Sequence, residues 1–140
     1  MGPRIEDVFL LLIADDVTAS RGFYERHFGF KPVFVSKVYA QLMSPEHDGR
    51  RFSLAFMPAD HPFGVVPQRA AAGDGLMLTI QSADVNALHA RLLADGVPIV
   101  HGPCDEPWGQ RRFVVRDPGG TYVDVVQPIE PEPGWYARFE

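Results

Sequence analysis

Apolar residues along this chain recur in a fixed order of elements. Val8 to Ala14 is an unbroken apolar run of strand length, and Asp15-Asp16-Val17-Thr18 after it offers carboxylates to cap a helix carrying Phe23, Tyr24, His27 and Phe28. Gly29 is placed to close that helix, since glycine accepts the left-handed conformation that ends helices. The order then returns. Leu76 to Gln81 is strand-like, Ser82-Ala83-Asp84 opens a helix with Val85, Leu88 and Leu92 on one face, and Gly96 ends it. Asp16 and Asp84 are 84 − 16 = 68 positions apart, and Gly29 and Gly96 are 96 − 29 = 67 apart, so two elements repeat to within one residue.

A proline-marked strand follows each helix, at Gly29-Phe30-Lys31-Pro32-Val33 and at Gly96-Val97-Pro98-Ile99-Val100. Two more are predicted after each: Val38 to Met43 and Arg51 to Met57, then Gln110 to Val115 and Thr121 to Gln127. Asp117-Pro118-Gly119-Gly120 supplies the last hairpin, with proline fixing φ early in the turn and glycine permitting positive φ after it. Met57-Pro58 matches Gln127-Pro128 at an offset of 127 − 57 = 70. The chain therefore reads as one α+β domain, 1–140, of two tandem βαβββ modules, 5–60 and 74–128. A linker at 61–73 rich in Pro, Gly and Ala joins them, and an aromatic tail covers 129–140.

Composition narrows the function. A net charge of −5, with 13 Lys and Arg scattered without a run, provides no surface for tracking phosphates, so no nucleic-acid partner is expected. Val8 to Ala14 is far shorter than the ~20 residues that span a bilayer and lacks the flanks of a signal peptide, so no membrane role is expected. With Cys104 as the single cysteine there is no internal disulfide and no thiolate zinc knuckle, and a reducing, cytoplasmic setting follows. Acidic neighbours in Gly-Pro-Cys-Asp-Glu argue against Cys104 as a nucleophile.

The repeat, together with DDVTASRGFYERHFGF near the start and EPWGQRRFVVRDPGGTYVDVVQ near the end, resembles the vicinal oxygen chelate superfamily of glyoxalases, extradiol dioxygenases and bleomycin resistance proteins. The resemblance implies a curved mixed sheet around a cup that holds the ligand, and, by analogy, a homodimer. It also implies four metal positions, one in the first and one in the last strand of each module. Carried onto this chain they fall at Phe9, Leu54, Met77 and Asp124. Phenylalanine and leucine have no donor atom, and a thioether suits Cu(I) better than the hard or borderline ions such a cup takes. No metal at these positions and no cofactor are expected. His27, His47, His61, His89 and His101 form no close pair; His101 alone follows a strand expected to border the cup.

Strand alternation puts Tyr122, Asp124 and Val126 on one face and Val123 and Val125 on the other. By the same rule Phe52, Leu54 and Phe56 share an inward face, as do Phe9, Leu11 and Ile13, with Met77 and Thr79 beside them. An apolar pocket with a few convergent polar groups is the profile of a small-molecule site. Asp124 either accepts a donor or positive charge from a ligand or pairs with Arg112 and ties two strands together. Trp108, in the Pro-Trp-Gly loop, stacks on a ligand or anchors that loop. Trp135, Tyr136 and Phe139 lie among prolines that argue against another helix or strand, and are expected to dock on the body or on a second subunit.

The candidate ligand-binding set is thus Phe9, Phe52, Leu54, Phe56, Met77, His101, Trp108, Arg112, Tyr122 and Asp124. The function expected first is metal-free binding of a hydrophobic or aromatic compound, planar or cationic, as in antibiotic resistance by sequestration. The alternatives are a divergent enzyme, whether a metal-dependent lyase or dioxygenase or an acid-base catalyst using Asp124 with His101 or Tyr122, and a module that acts through protein contacts.

Overall fold

A computed structural model of the chain describes residues 2–62, 64, 69 and 73–140. Most of the expected linker, 61–73, therefore lies outside the described residues. The chain divides into two compact units, Met1–Ala72 and Gly73–Glu140. Each is a four-stranded mixed sheet with one helix on one face, which makes the fold α+β.

The first unit runs β1 (Leu10–Ile13), α1 (Val17–Phe28), β2 (Lys31–Val35), β3 (Ala40–Met43) and β4 (Ser53–Met57), with sheet order β1-β4-β3-β2. Asp16 caps α1 by accepting a hydrogen bond from the Ala19 amide at 2.9 Å. Gly29 ends it at φ 70°. Tyr24, Phe23, His27 and Phe28, spaced to lie on one side of the helix, are all buried, and the Tyr24 ring meets that of Phe56 at 5.5 Å. Histidine 27 is thus a packing residue.

That ring contact corrects one expectation. Because Phe56 packs under α1, alternation puts Leu54 on the same helix-covered face, where it is 3% exposed and pairs in register with Leu42. Neither belongs to the opposite face. The source of the error is a one-residue slip, which in a strand exchanges the two faces. Pairing couples Leu11 to Ala55 in this unit and Thr79 to Asp124 in the other. Since 79 − 11 = 68 is the repeat, Ala55 is the counterpart of Asp124, at 124 − 55 = 69 and not at the 70 counted from the prolines.

The second unit runs β5 (Met77–Gln81), α2 (Val85–Ala94), β6 (Ile99–Glu106), β7 (Gln110–Arg116) and β8 (Tyr122–Pro128), with the matching order β5-β8-β7-β6. Asp84 caps α2 through the Ala87 amide at 3.0 Å. Val85 and Leu92 of α2 and Phe113, Val115, Val123 and Val125 of the sheet are fully buried, so Val123 and Val125 do face the helix. Asp117 closes the last hairpin by accepting from the Gly120 amide at its carbonyl and from the Thr121 amide at its carboxylate, with Gly120 at φ 91°.

Two features differ from the sequence expectation. Strand β6 runs from Ile99 through Gly102-Pro103 to Glu106, beyond the strand expected to end at Val100. The tail forms a short 3-10 turn, Tyr136–Phe139, despite its prolines, because these precede the turn and leave its own amides free.

Candidate functional site

Chemistry gathers on the face of the second sheet that α2 does not cover. Alternation brings Met77 and Thr79 of β5, Tyr122, Asp124 and Val126 of β8, and Arg112 and Val114 of β7 to that side, with Thr79 opposite Asp124 and Asp124 opposite Val114. Strand β6 adds an irregularity. Its register against β7 shifts twice, between Ile99 and His101 and again between His101 and Cys104. Residues three apart on a regular strand point to opposite faces. The bulge brings His101 round to the side of Cys104 and Glu106, with the Cys104 sulfur 3.2 Å from His101 Nε2 and 3.5 Å from Glu106 Oε1.

Gly102 makes the bulge sterically open. It sits at φ 78°, and a Cβ there would stand 2.4 Å from the Arg112 carbonyl oxygen and 3.1 Å from the Phe113 Cα. Backbone approaches backbone at this point more closely than any side chain allows.

Arg112 is the hub. Its Nε donates to Glu106 Oε2 at 2.7 Å, its Nη1 to Asp124 Oδ1 at 3.5 Å, and its guanidinium lies 5.2 Å from the centre of the Trp108 ring. Thr79 Oγ1 donates to the other Asp124 oxygen at 3.2 Å. Asp124 is 6% exposed, with Thr79 facing one of its oxygens at 3.2 Å and Arg112 the other at 3.5 Å. Partial burial would raise the Glu106 pKa, but the hydrogen bond and charge of Arg112 outweigh it and hold Glu106 below its ordinary value. Burial pushes the Cys104 thiol up, and Glu106 adds to that; Arg112 opposes it. The acidic neighbours in its own segment thus act in the direction expected of them, and the fold adds Arg112 from the facing strand as an opposing charge.

A cavity of about 240 Å³ opens on this face, lined by Met77, Val100, His101, Arg112, Val114 and Tyr122. It is smaller than the roughly 300–1,000 Å³ of ordinary ligand pockets, so it suits a small molecule or one part of a larger one. Four expected site residues, Met77, His101, Arg112 and Tyr122, thus line one cavity. Trp108 sits in the β6–β7 turn, held by its own indole bond to Gln110 Oε1 at 2.9 Å and by the tail, whose Tyr136 hydroxyl donates to the Trp108 carbonyl at 2.7 Å. The Trp135 ring lies 6.2 Å from that of Trp108, so the tail aromatics dock on the body of their own unit. The remaining candidates belong to the first unit: Phe9 and Phe52 are exposed outside its strands, while Leu54 and Phe56 are core.

Glu106 was missed by sequence reasoning. Its signal was present as charge symmetry about the turn, Asp105-Glu106 before Pro-Trp-Gly and Arg111-Arg112 after it. The structure pairs them in that order, Arg111 with Asp105 at 2.7 Å and Arg112 with Glu106 at 2.7 Å.

A family model described as Glyoxalase/Bleomycin resistance protein/Dioxygenase superfamily matches residues 7–125. The chain belongs to this superfamily. Solved structures agree on the fold. A glyoxalase/bleomycin resistance protein/dioxygenase from Nocardioides shares 22% identity at a TM-score of 0.74, over 96% of this chain and 91% of its own. An antibiotic binding protein from a Streptomyces species shares 26% identity at 0.68, over 91% and 99%. A lactoylglutathione lyase from Agrobacterium tumefaciens shares 22% at 0.68, over 89% and 95%. No curated protein matches the chain in sequence. Among the described residues no helix is long and apolar enough to cross a membrane.

The metal that superfamily enzymes hold does not fit the inherited positions of this member. Phe9 and Met77 offer no suitable donor, Ala55 or Leu54 offers none in either register, and both oxygens of Asp124 already have partners in Thr79 and Arg112.

Proposed function

We propose that this superfamily member is a binding protein that sequesters a small hydrophobic or aromatic compound without a metal at the inherited centre. The observation that carries the reading is the setting of Asp124: the one inherited donor already faces Thr79 at 3.2 Å and the Arg112 guanidinium at 3.5 Å, beside a cavity walled by Met77, Val100, Val114 and Tyr122. Arg112 lines the cavity, and Glu106 and Asp124 stand against it, so the formal local charge is 1 − 2 = −1. The likeness to a Streptomyces antibiotic binding protein supports the same class. The protein acts in the cytoplasm, as a homodimer, and its cellular effect is resistance by sequestration.

Both tryptophans, Trp108 and Trp135, lie in the second unit, so quenching of intrinsic fluorescence reports on the site. Titration with planar cationic antibiotics is expected to give saturable quenching. Asp124→Asn should weaken binding about tenfold with the far-ultraviolet circular dichroism unchanged, because the local charge rises by one. Equal affinity in Asp124→Asn, or no saturable binding across neutral and cationic aromatic compounds, refutes the proposal.

One observation favours an enzyme instead. His101 lines the cavity with Nε2 3.4 Å from Glu106 Oε2, the histidine-carboxylate arrangement that acid-base catalysis uses. Turnover of a bound compound that is lost in His101→Gln would decide for it.

A further inference from the structure

His101, Cys104 and Glu106 place one imidazole nitrogen, one sulfur and one carboxylate oxygen within 4.8 Å of one another, the single such group among the described residues. They come from one strand, on the edge of the sheet remote from β5, so they share no residue with the inherited metal positions. We infer that this cluster is a zinc site, with the three side chains as ligands and a fourth position left open to solvent.

The separations carry the inference. With Zn–S near 2.3 Å and Zn–N and Zn–O near 2.0–2.2 Å, tetrahedral angles set the ligand atoms about 3.3–3.6 Å apart. The sulfur stands 3.2 Å from His101 Nε2 and 3.5 Å from one Glu106 oxygen, and Nε2 stands 3.4 Å from the other. The two short carboxylate separations fall on different Glu106 oxygens; taking one atom from each residue, the three lie within 4.8 Å of one another, and a rotation of the carboxylate closes the triangular face around an ion. The set of one thiolate, one imidazole and one carboxylate is the mixed borderline-soft combination that selects zinc over calcium or magnesium.

The surroundings are built for it. The double register shift of β6 is what turns His101 onto the face of Cys104, and Gly102 is the residue whose missing side chain permits it. Arg112 holds one Glu106 oxygen at 2.7 Å and leaves the other toward the sulfur, the kind of outer partner that fixes a ligating carboxylate. Glu106 side-chain exposure is 14% and that of His101 45%, so the carboxylate is held while the imidazole gives an ion access. On binding, Cys104 gives up its thiol proton to solvent as the sulfur–zinc bond forms, and the charges of thiolate and carboxylate balance the ion. The expectation of no metal was reached at Phe9, Leu54, Met77 and Asp124 and does not extend to this cluster. His101 also lines the ligand cavity and Glu106 enters its charge balance, so a bound ion would alter that site; the metal readouts below need no organic ligand and so fail or succeed separately from the binding proposal.

The test uses the full chain, reduced and freed of metal by chelation. Competition with a chromophoric zinc chelator is expected to show one equivalent bound. Co²⁺ in place of Zn²⁺ should give a near-ultraviolet sulfur-to-cobalt charge-transfer band and the intense visible bands of four-coordination. Cys104→Ser should abolish the charge-transfer band, and Cys104→Ser and Glu106→Gln should each weaken Zn²⁺ binding by roughly tenfold or more. His47→Gln, at an exposed histidine of the other unit, should leave both readouts unchanged. Absence of the charge-transfer band in the parent protein overturns the inference. So does Zn²⁺ affinity unaltered by either Cys104→Ser or Glu106→Gln, each variant checked for folding by circular dichroism.

Discussion

Replacing Arg112 by methionine keeps most of the apolar stem and removes the guanidinium that ties three groups together. The loss can be worked from the contacts. The bond to Glu106 at 2.7 Å is charge-assisted, a class that contributes about 1.5–3 kcal/mol. The guanidinium over Trp108 at 5.2 Å adds about 0.5–1 kcal/mol, and the 3.5 Å contact to Asp124 is at the outer limit of a hydrogen bond and adds little. Removing one partner of a fully buried pair costs about 3–5 kcal/mol, and a surface pair is worth at most about 1. Side-chain exposures of 21% for Arg112, 14% for Glu106 and 9% for Asp124 lie between those limits. Arg112→Met should therefore destabilise the second unit by about 2–3 kcal/mol, or roughly 6–12 °C in melting temperature for a chain of this size. Because Trp108 and Trp135 both belong to that unit, a thermal melt followed by tryptophan emission reads it directly. Arg112→Lys should recover less than half of the loss, since an ammonium cannot bond Glu106 and Asp124 with a planar fork while lying flat on an indole. A change below about 0.5 kcal/mol in Arg112→Met would refute the view that this side chain organises the site.

Gly102→Ala should cost more than about 2 kcal/mol, from positive φ combined with a Cβ 2.4 Å from a carbonyl oxygen, and a urea titration checks it; a stable variant would mean the bulge is not tightly set. Acidification tests Glu106: its folded pKa lies below the ordinary 4.5, so its stabilising contribution is present above that value and is lost as pH falls through the folded pKa. Chemical denaturation between pH 7 and pH 3 should show this loss in the parent protein, and Glu106→Gln should show a shallower one.

The repeat of strand and helix was legible because caps and periodicity are local. Asp16 and Asp84 cap their helices and Gly29 ends the first, each through atoms within a few residues. What failed was anything set by pairing between distant strands. Leu54 was put on the wrong face because a count from Pro58 and Pro128 carries no information on which residue of β4 meets β1. That register is fixed by hydrogen bonds to Leu10 and its neighbours. Strand β6 was read only as far as Val100, short of its actual end at Glu106. Its continuation depends on β7 supplying Arg111 and Arg112 as partners for Asp105 and Glu106. Asp124 could be located but not interpreted, because whether it was free or paired rested on where Arg112 pointed. Trp108 and Trp135 were recognised as lip and tail, and their meeting across the β6–β7 turn was one of the two destinations left open.

The bulge in β6 also bears on how such a chain can change over generations. A centre assembled from strands of both halves needs several distant positions to be right together, and it vanishes when any one of them drifts. His101, Gly102, Cys104 and Glu106 lie within six consecutive positions of a single strand. A local centre of that kind can arise or disappear through changes in one short segment, without the opposite half of the molecule taking part. It is also portable. The hexapeptide and its facing arginine form a unit that can be grafted onto another edge hairpin, where whatever it does can be measured apart from its parent.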